Sequence, residues 1–134
     1  MEIFAKNKCK IIWVSMKDKK ADVYASDIKL SNKGTTFNIT FKDTKTTIEV
    51  ETKLLGSANV YNVLQAAALS HELGLTDDQI KIGVKRIATI EHRLELKKYG
   101  NINIIDDAYN SNPVGSKMAV EVLEMMPGKK IIVT

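Results

Sequence analysis

Residues 105–113 read Ile-Asp-Asp-Ala-Tyr-Asn-Ser-Asn-Pro. An apolar run, 102–105, precedes them and reads as a strand. A helical run begins near Pro113. Two carboxylates, a phenol and two amides therefore fall in the loop at the carboxyl end of a strand, where open α/β sheets bind ligands. Taken alone, the segment also reads as a capped loop, since Asp and Asn cap helices and Pro suits a first helical turn. Outward from it, 113–126 is predicted helical, with Met118, Val122, Met125 and Met126 near one face, a stripe that reads as core. Pro127 and Gly128 end that helix. The run 130–134 starts another strand, apolar at Ile131, Ile132 and Val133 as in a parallel strand covered on both faces. On the other side, 94–99 pairs with 102–105 through a turn at Gly100 and Asn101. Residues 102–134 thus make one βαβ unit. A lone βαβ cannot bury both faces of its sheet, so the chain is expected to stop inside a domain or to lend an exposed sheet edge to another copy.

Upstream the pattern differs. A short buried strand is expected at 11–15, a weaker extended segment at 21–27, and strands at 28–30, 35–41 and 46–51. Gly34 and the stretch 42–44 punctuate them as turns. Phe37, Ile39 and Phe41 share one face by the period of two, and Ile48 and Val50 do so on the next strand. This is an antiparallel meander with one wet face. Residues 59–73 then read as a helix, with Val60, Val63, Leu64, Ala67 and Ala68 in one stripe and Gly74 as its stop. Thr76 opens a second helix to about Ile87, with Gln79 completing a capping box. Ile80, Val84 and Ile87 line its inner face. The fold class is α/β: a meander plus two helices, then a β-hairpin and a βαβ unit. The boundary falls at 89–93, which divides the chain into 1–90 and 91–134.

Composition narrows the function. The chain has 134 residues and a net charge of +4 at pH 7. The excess lies in lysine runs at 6–10 and 17–20, which read as solvated faces. Only two arginines occur, Arg86 and Arg93, too few for the Arg-rich, aromatic-interleaved patch of a nucleic-acid binder. One cysteine, Cys9, excludes an internal disulfide and fits a reducing compartment. The opening residues lack the apolar run of a signal peptide, and no stretch reaches membrane-spanning length. A cytoplasmic protein is expected.

Three segments, 54–69 (Leu-Leu-Gly-Ser-Ala-Asn-Val-Tyr-Asn-Val-Leu-Gln-Ala-Ala-Ala-Leu), 91–95 (Glu-His-Arg-Leu-Glu) and 106–113 (Asp-Asp-Ala-Tyr-Asn-Ser-Asn-Pro), resemble in order and spacing the Mur ligases of peptidoglycan synthesis. The last string resembles the branch that adds D-alanyl-D-alanine to the UDP-N-acetylmuramoyl tripeptide. The resemblance implies that 1–90 is the end of the central ATPase domain and 91–134 the start of a Rossmann-like carboxyl-terminal domain. It implies ATP and magnesium as cofactors, UDP-N-acetylmuramoyl-tripeptide and D-alanyl-D-alanine as substrates, and a reaction through an acyl phosphate. Related ligases, either third-residue-adding or polyglutamate-forming, are the alternative within the family. A noncatalytic nucleotide-binding or scaffold module is the alternative outside it. No glycine-rich phosphate loop of the Walker type occurs in the sequence, so neither catalytic residues nor metal ligands are assigned, and the chain by itself is expected to be inactive.

The candidate residues are amides and charges. Asn59 is a good N-cap. Asn62, one turn on, faces the same way and offers a donor and an acceptor. The resemblance puts both near ATP. It also expects a histidine where this chain has Ala58. Arg93 carries a planar fork suited to phosphate or carboxylate, though Glu95 could simply pair with it. The resemblance makes Arg93 the arginine that reaches the nucleotide. Asp106 and Asp107 face opposite ways on extended backbone, so they are no acid/base pair. The resemblance gives Asp107 the nucleotide ribose, Tyr109 the adenine, and Asn110 and Asn112 the loop or the nucleotide. Asp106 reads as structural or a cap, His92 as solvated, His71 as a surface or interdomain residue, and Ser116 as helix surface. The turn at Gly100 and Asn101 brings the start of one strand, with Arg93, beside the end of the other, with Asp107.

Overall fold

A computed structural model of the protein describes residues 9–110 and 112–133. The leader reading of the first residues, most of the lysine run at 6–10, Ser111 and Thr134 lie outside the described residues. Four strands form the first sheet: β1 (Val14–Ser15), β2 (Val23–Ser31), β3 (Gly34–Phe41) and β4 (Thr46–Thr52), in that spatial order. Strands β2, β3 and β4 are the antiparallel meander. The two segments expected at 21–27 and 28–30 are one strand, interrupted by a bulge between Ser26 and Lys29. Asp27 sits there at φ 52 and accepts from Asn38 Nδ2 at 2.9 Å, which holds the irregular residue in place. β1 is shorter than expected and runs parallel to β2, so the sheet is mixed.

The period of two decides the core. Phe37, Ile39 and Phe41 on β3 are sealed from solvent, as are Ile48 and Val50 on β4. Each buried Phe side chain is worth about 1.5–3 kcal/mol in removed apolar surface. The residues between them on β4 stay exposed or half-buried. Two buried hydroxyls end this face. Thr35 Oγ1 donates to the Leu54 carbonyl at 2.9 Å, and Thr52 Oγ1 accepts from the Leu54 N–H at 3.3 Å. Together they fix where the chain leaves the sheet and turns toward the first helix.

Helix α1 (Ser57–Glu72) lies on the buried face, with Val60, Val63, Leu64, Ala67 and Ala68 inward. It ends as Gly74 is expected to end it. Gly74 takes φ 83, and the N–H groups of Gly74 and Leu75 donate to the carbonyls of His71 and Ser70, a Schellman closure. Helix α2 (Asp77–Arg86) begins with the predicted capping box of Thr76 and Gln79 and buries Ile80 and Val84.

The second sheet is a separate hairpin, β5 (Glu95–Tyr99) with β6 (Ile102–Asp106). Gly100 takes φ 56 at the first central position, where a type II′ turn wants Gly. Helix α3 (Pro113–Glu124) follows, and Asn112 Oδ1 caps it by accepting from the N–H groups of Val114 and Gly115. A second, smaller core of Leu55, Leu94, Val122 and Met126 joins this part to the chain two residues before α1. The strand, helix and apolar run keep the expected βαβ order. However, residues 129–133 belong to no sheet, and Ile131, Ile132 and Val133 are exposed. An apolar run becomes a strand only where a neighbour takes up its backbone donors and acceptors, and none lies beside it among the described residues. Among the described residues no helix is long and apolar enough to cross a membrane.

Candidate functional site

Between the two cores lies an open cleft of about 420 Å³. Three stretches line it. The start of α1 supplies Asn59 and Asn62. The segment after α2 supplies Arg93. The β6–α3 loop and the first turn of α3 supply Asp107, Asn110 and Asn112. Six of the seven candidate residues therefore meet in one place. Tyr109, the seventh, does not line the cleft; it is exposed, with the Arg93 guanidinium carbon 4.3 Å from its ring centroid. The rest of the lining is largely apolar, including Leu54, Ala58, Ile87, Ala88, Ile90 and Met118. These apolar residues, apart from Ala58, carry no chemical signature in sequence, and only their convergence marks them.

The amides are oriented by their neighbours. Asn59 is not the N-cap of α1, contrary to expectation. Gly56 is, at φ 81 and ψ 157, because the chain turns off the sheet three residues earlier than the helical pattern suggests. Asn59 instead donates through Nδ2 to the Leu55 carbonyl at 2.8 Å, and its Oδ1 accepts from Asn62 Nδ2 at 3.1 Å. Asn112 combines cap and cleft wall.

The charges sort as the alternation of a strand demands. Asp107 faces the cleft and accepts from the Leu94 N–H at 3.1 Å through Oδ1. Asp106 faces away, toward Lys97 Nζ at 2.6 Å and His92 Nδ1 at 2.8 Å. Lys97 above all, and then His92, hold the Asp106 carboxyl down to about 2. Asp106 in turn pushes the Lys97 ammonium above its ordinary range, with Glu95 assisting. Glu95 pairs with Lys97 at 3.3 Å rather than with Arg93. Arg93 makes no ion pair with a carboxylate among the described residues, so its guanidinium is held by the Tyr109 face alone and retains its hydrogen-bond donors.

Both histidines make tertiary contacts that the sequence did not suggest. His92 is not merely solvated, since the hairpin brings Asp106 to its ring. His71 does lie near the surface of α1, but it stacks on Phe41 with centroids 4.2 Å apart and bonds Asp43 at 3.0 Å. It thereby joins the helix to the β3–β4 turn. That hydrogen bond is the main reason the Asp43 carboxyl is shifted below its usual range. Both contacts are tertiary and leave no local trace in sequence. Ser116 is exposed on α3, as expected. Cys9 is a free, exposed thiol. No group of three His, Cys, Asp or Glu side chains suited to a metal occurs among the described residues.

A protein-family model described as the Mur ligase middle domain matches residues 1–70. The chain is 38% identical over 126 residues to the UDP-N-acetylmuramoyl-tripeptide--D-alanyl-D-alanine ligase of Buchnera aphidicola subsp. Acyrthosiphon pisum (strain APS), covering 92% of this chain and 27% of that protein. It is 35% identical over 114 residues to the enzyme of the same name from Escherichia coli (strain K12), covering 84% of this chain and 25% of that one. Among solved structures, a UDP-N-acetylmuramoylalanyl-D-glutamyl-2,6-diaminopimelate--D-alanyl-D-alanyl ligase from Acinetobacter baumannii superposes with a TM-score of 0.84 at 26% identity, over 95% of this chain and 27% of that one. The chain thus spans about a quarter of the length of these relatives.

Proposed function

The chain belongs to the Mur ligase family, and on that premise we propose that it is the segment of an ATP-dependent ligase in which one wall of the nucleotide site is built. The ligase joins D-alanyl-D-alanine to UDP-N-acetylmuramoyl-tripeptide in the assembly of peptidoglycan precursors, a cytoplasmic step. Residues 1–90 close its central ATPase domain, and 91–134 open its carboxyl-terminal domain. The names of the similar proteins support the substrate. One observation of this chain carries the site reading: six polar residues from three separate stretches converge on a cleft otherwise lined largely by apolar residues.

The residues present fit a nucleoside. Linked amides, an arginine without a carboxylate partner among the described residues and a half-buried aspartate adjoin apolar surface, the usual composition of a small-molecule pocket. Asp107 would hold the ribose, Asn59 and Asn62 would face the nucleotide across the cleft, and Asn110 and Asn112 would shape the loop. Arg93 would bring positive charge to the phosphates, with Tyr109 holding its plane. When bound, ATP with magnesium supplies the phosphoryl group that activates the substrate carboxylate. The sequence contains no Walker-type loop to hold those phosphates, so the chain by itself does not perform the joining.

Steady-state kinetics of Arg93→Ala and Asp107→Ala in a full-length ligase carrying this segment test the reading. Losing a charged hydrogen bond to the reacting complex costs on the order of 2–4 kcal/mol, roughly thirtyfold to a thousandfold in rate. Melting temperature serves as the fold control. Near-normal turnover and ATP Michaelis constants in both variants would overturn the assignment.

A further inference from the structure

Arg93 is presented to the cleft by an unusual piece of backbone. The residues on either side of it, His92 at φ 62 and Leu94 at φ 47, both occupy the left-handed region, which non-glycine side chains seldom adopt. Something outside the segment must hold them there. Leu94 is held by burial in the smaller core and by Asp107 on its N–H. His92 is held at three points. Its N–H donates to Glu95 Oε2 at 3.2 Å, its carbonyl accepts from the Tyr109 N–H at 3.2 Å, and its Nδ1 lies 2.8 Å from Asp106 Oδ2. Asp106 is ionised at neutral pH and an ionised carboxylate can only accept, so Nδ1 carries the proton and donates. The Tyr109 whose N–H meets the His92 carbonyl is the same residue whose ring lies under Arg93.

We propose that His92 is a positioning residue for Arg93: its imidazole, anchored on Asp106, locks the turn at residues 92–94, left-handed at His92 and Leu94, that lays the guanidinium over Tyr109 at the cleft. The part of this inference that concerns catalysis rests on the reading of Arg93 as a nucleotide contact. The part that concerns Arg93 geometry does not. Two variants separate the ring's role from the backbone's. His92→Gly keeps the left-handed conformation at no steric cost and removes the donor. His92→Asn also tolerates that conformation and keeps an amide N–H near the place of Nδ1.

The first measurement is NMR of the chain itself. Its two arginines, Arg86 and Arg93, allow the side-chain signals to be assigned with an Arg93→Lys control. The Arg93 Cδ–Hδ and Nε–Hε signals are expected to be displaced by the Tyr109 ring. In His92→Gly they should return toward those of Arg86, and in His92→Asn they should stay near their original positions. Signals unmoved in His92→Gly, with the fold intact by circular dichroism, would overturn the proposal. The second measurement is kinetic, in the full-length ligase with Arg93→Ala as reference. His92→Gly should raise the ATP Michaelis constant about tenfold, as loss of one well-placed charged hydrogen bond does. It should change turnover less, should be largely rescued by His92→Asn, and should add nothing to Arg93→Ala. An effect of Arg93→Ala without one of His92→Gly overturns the positioning role and leaves the nucleotide reading standing. No effect of Arg93→Ala overturns the nucleotide reading, and the NMR result then decides the positioning role.

Discussion

Replacing Gly56 with Ala should be among the most damaging single-methyl additions in this chain, for reasons that can be worked from its surroundings. Gly56 caps α1 at φ 81 and ψ 157, a region open essentially only to glycine. Forcing another residue into it costs about 1–3 kcal/mol. An added Cβ would also stand 3.3 Å from Leu94 Cδ1 and 3.3 Å from Val122 Cγ2, inside the optimal carbon–carbon separation of about 3.5–4.0 Å. Both neighbours belong to the smaller core and are buried, so neither can swing into solvent. Overpacking of this kind costs about 1–3 kcal/mol. Against these, Ala restricts the unfolded chain and returns about 0.4–1 kcal/mol. The net loss should be about 3 kcal/mol. Urea denaturation of Gly56→Ala against the unaltered chain measures it. The same substitution in a Leu94→Ala background separates strain from crowding, because the cavity admits the new methyl. The loss there should fall toward the strain contribution alone, about 1–3 kcal/mol. A loss below about 1 kcal/mol, or equal losses in both backgrounds, would refute the reasoning. Because α1 carries Asn59 and Leu94 adjoins Arg93, the variant should also widen the cleft and weaken ATP use in the full-length ligase.

Two further outcomes are expected. Asp106 has its folded pKa depressed from 3.8 to about 2, so it contributes stability that is full above pH 3.8 and drains as pH falls through about 2. Asp106→Asn should flatten the stability–pH curve across that window, as read by chemical denaturation at a series of pH values, and an unchanged curve would exclude the contribution. Thr76→Ala removes the capping hydroxyl from the Gln79 N–H and should cost about 1 kcal/mol by thermal unfolding; a variant as stable as its parent would show that the box is ornamental.

Where chemistry was local, the sequence announced the structure. Thr76 and Gln79 marked the start of α2, Gly74 the end of α1, and Gly100 the hairpin, because each supplies a side-chain acceptor or a backbone conformation at a fixed offset. Phe37, Ile39 and Phe41 announced their sheet face by alternation alone. What failed to show was set by partners distant in sequence. The bulge at Asp27 depends on Asn38, the ring of His71 on Phe41 and Asp43, and that of His92 on Asp106. Residues 129–133 failed as a strand for the same reason in reverse: their apolar pattern is strand-like, but no sheet edge lies beside them among the described residues. The cleft was half legible. Its polar residues could be named, and the turn at Gly100 brought Arg93 near Asp107. The rotation of Asn59 from cap to cleft wall followed from Gly56, whose role no periodicity reveals.

An asparagine amide is ambidextrous in a sequence, offering oxygen or hydrogen to whatever it meets. The fold removes that freedom. The carbonyl of Leu55 can only accept, so it turns the Asn59 NH₂ toward itself, which turns the Asn59 oxygen toward Asn62 and claims an Asn62 hydrogen. Polarity runs along this short relay in one direction, dictated by the main chain, and no partner among the described residues takes the Asn62 oxygen at its end. Opposite, Asn112 is set the other way. Its oxygen is engaged by two N–H groups at the start of α3, and only its hydrogens remain. Two amides that line the same cleft are thus set differently: Asn112 has only its hydrogens left to offer, whereas Asn62 keeps its oxygen together with one hydrogen.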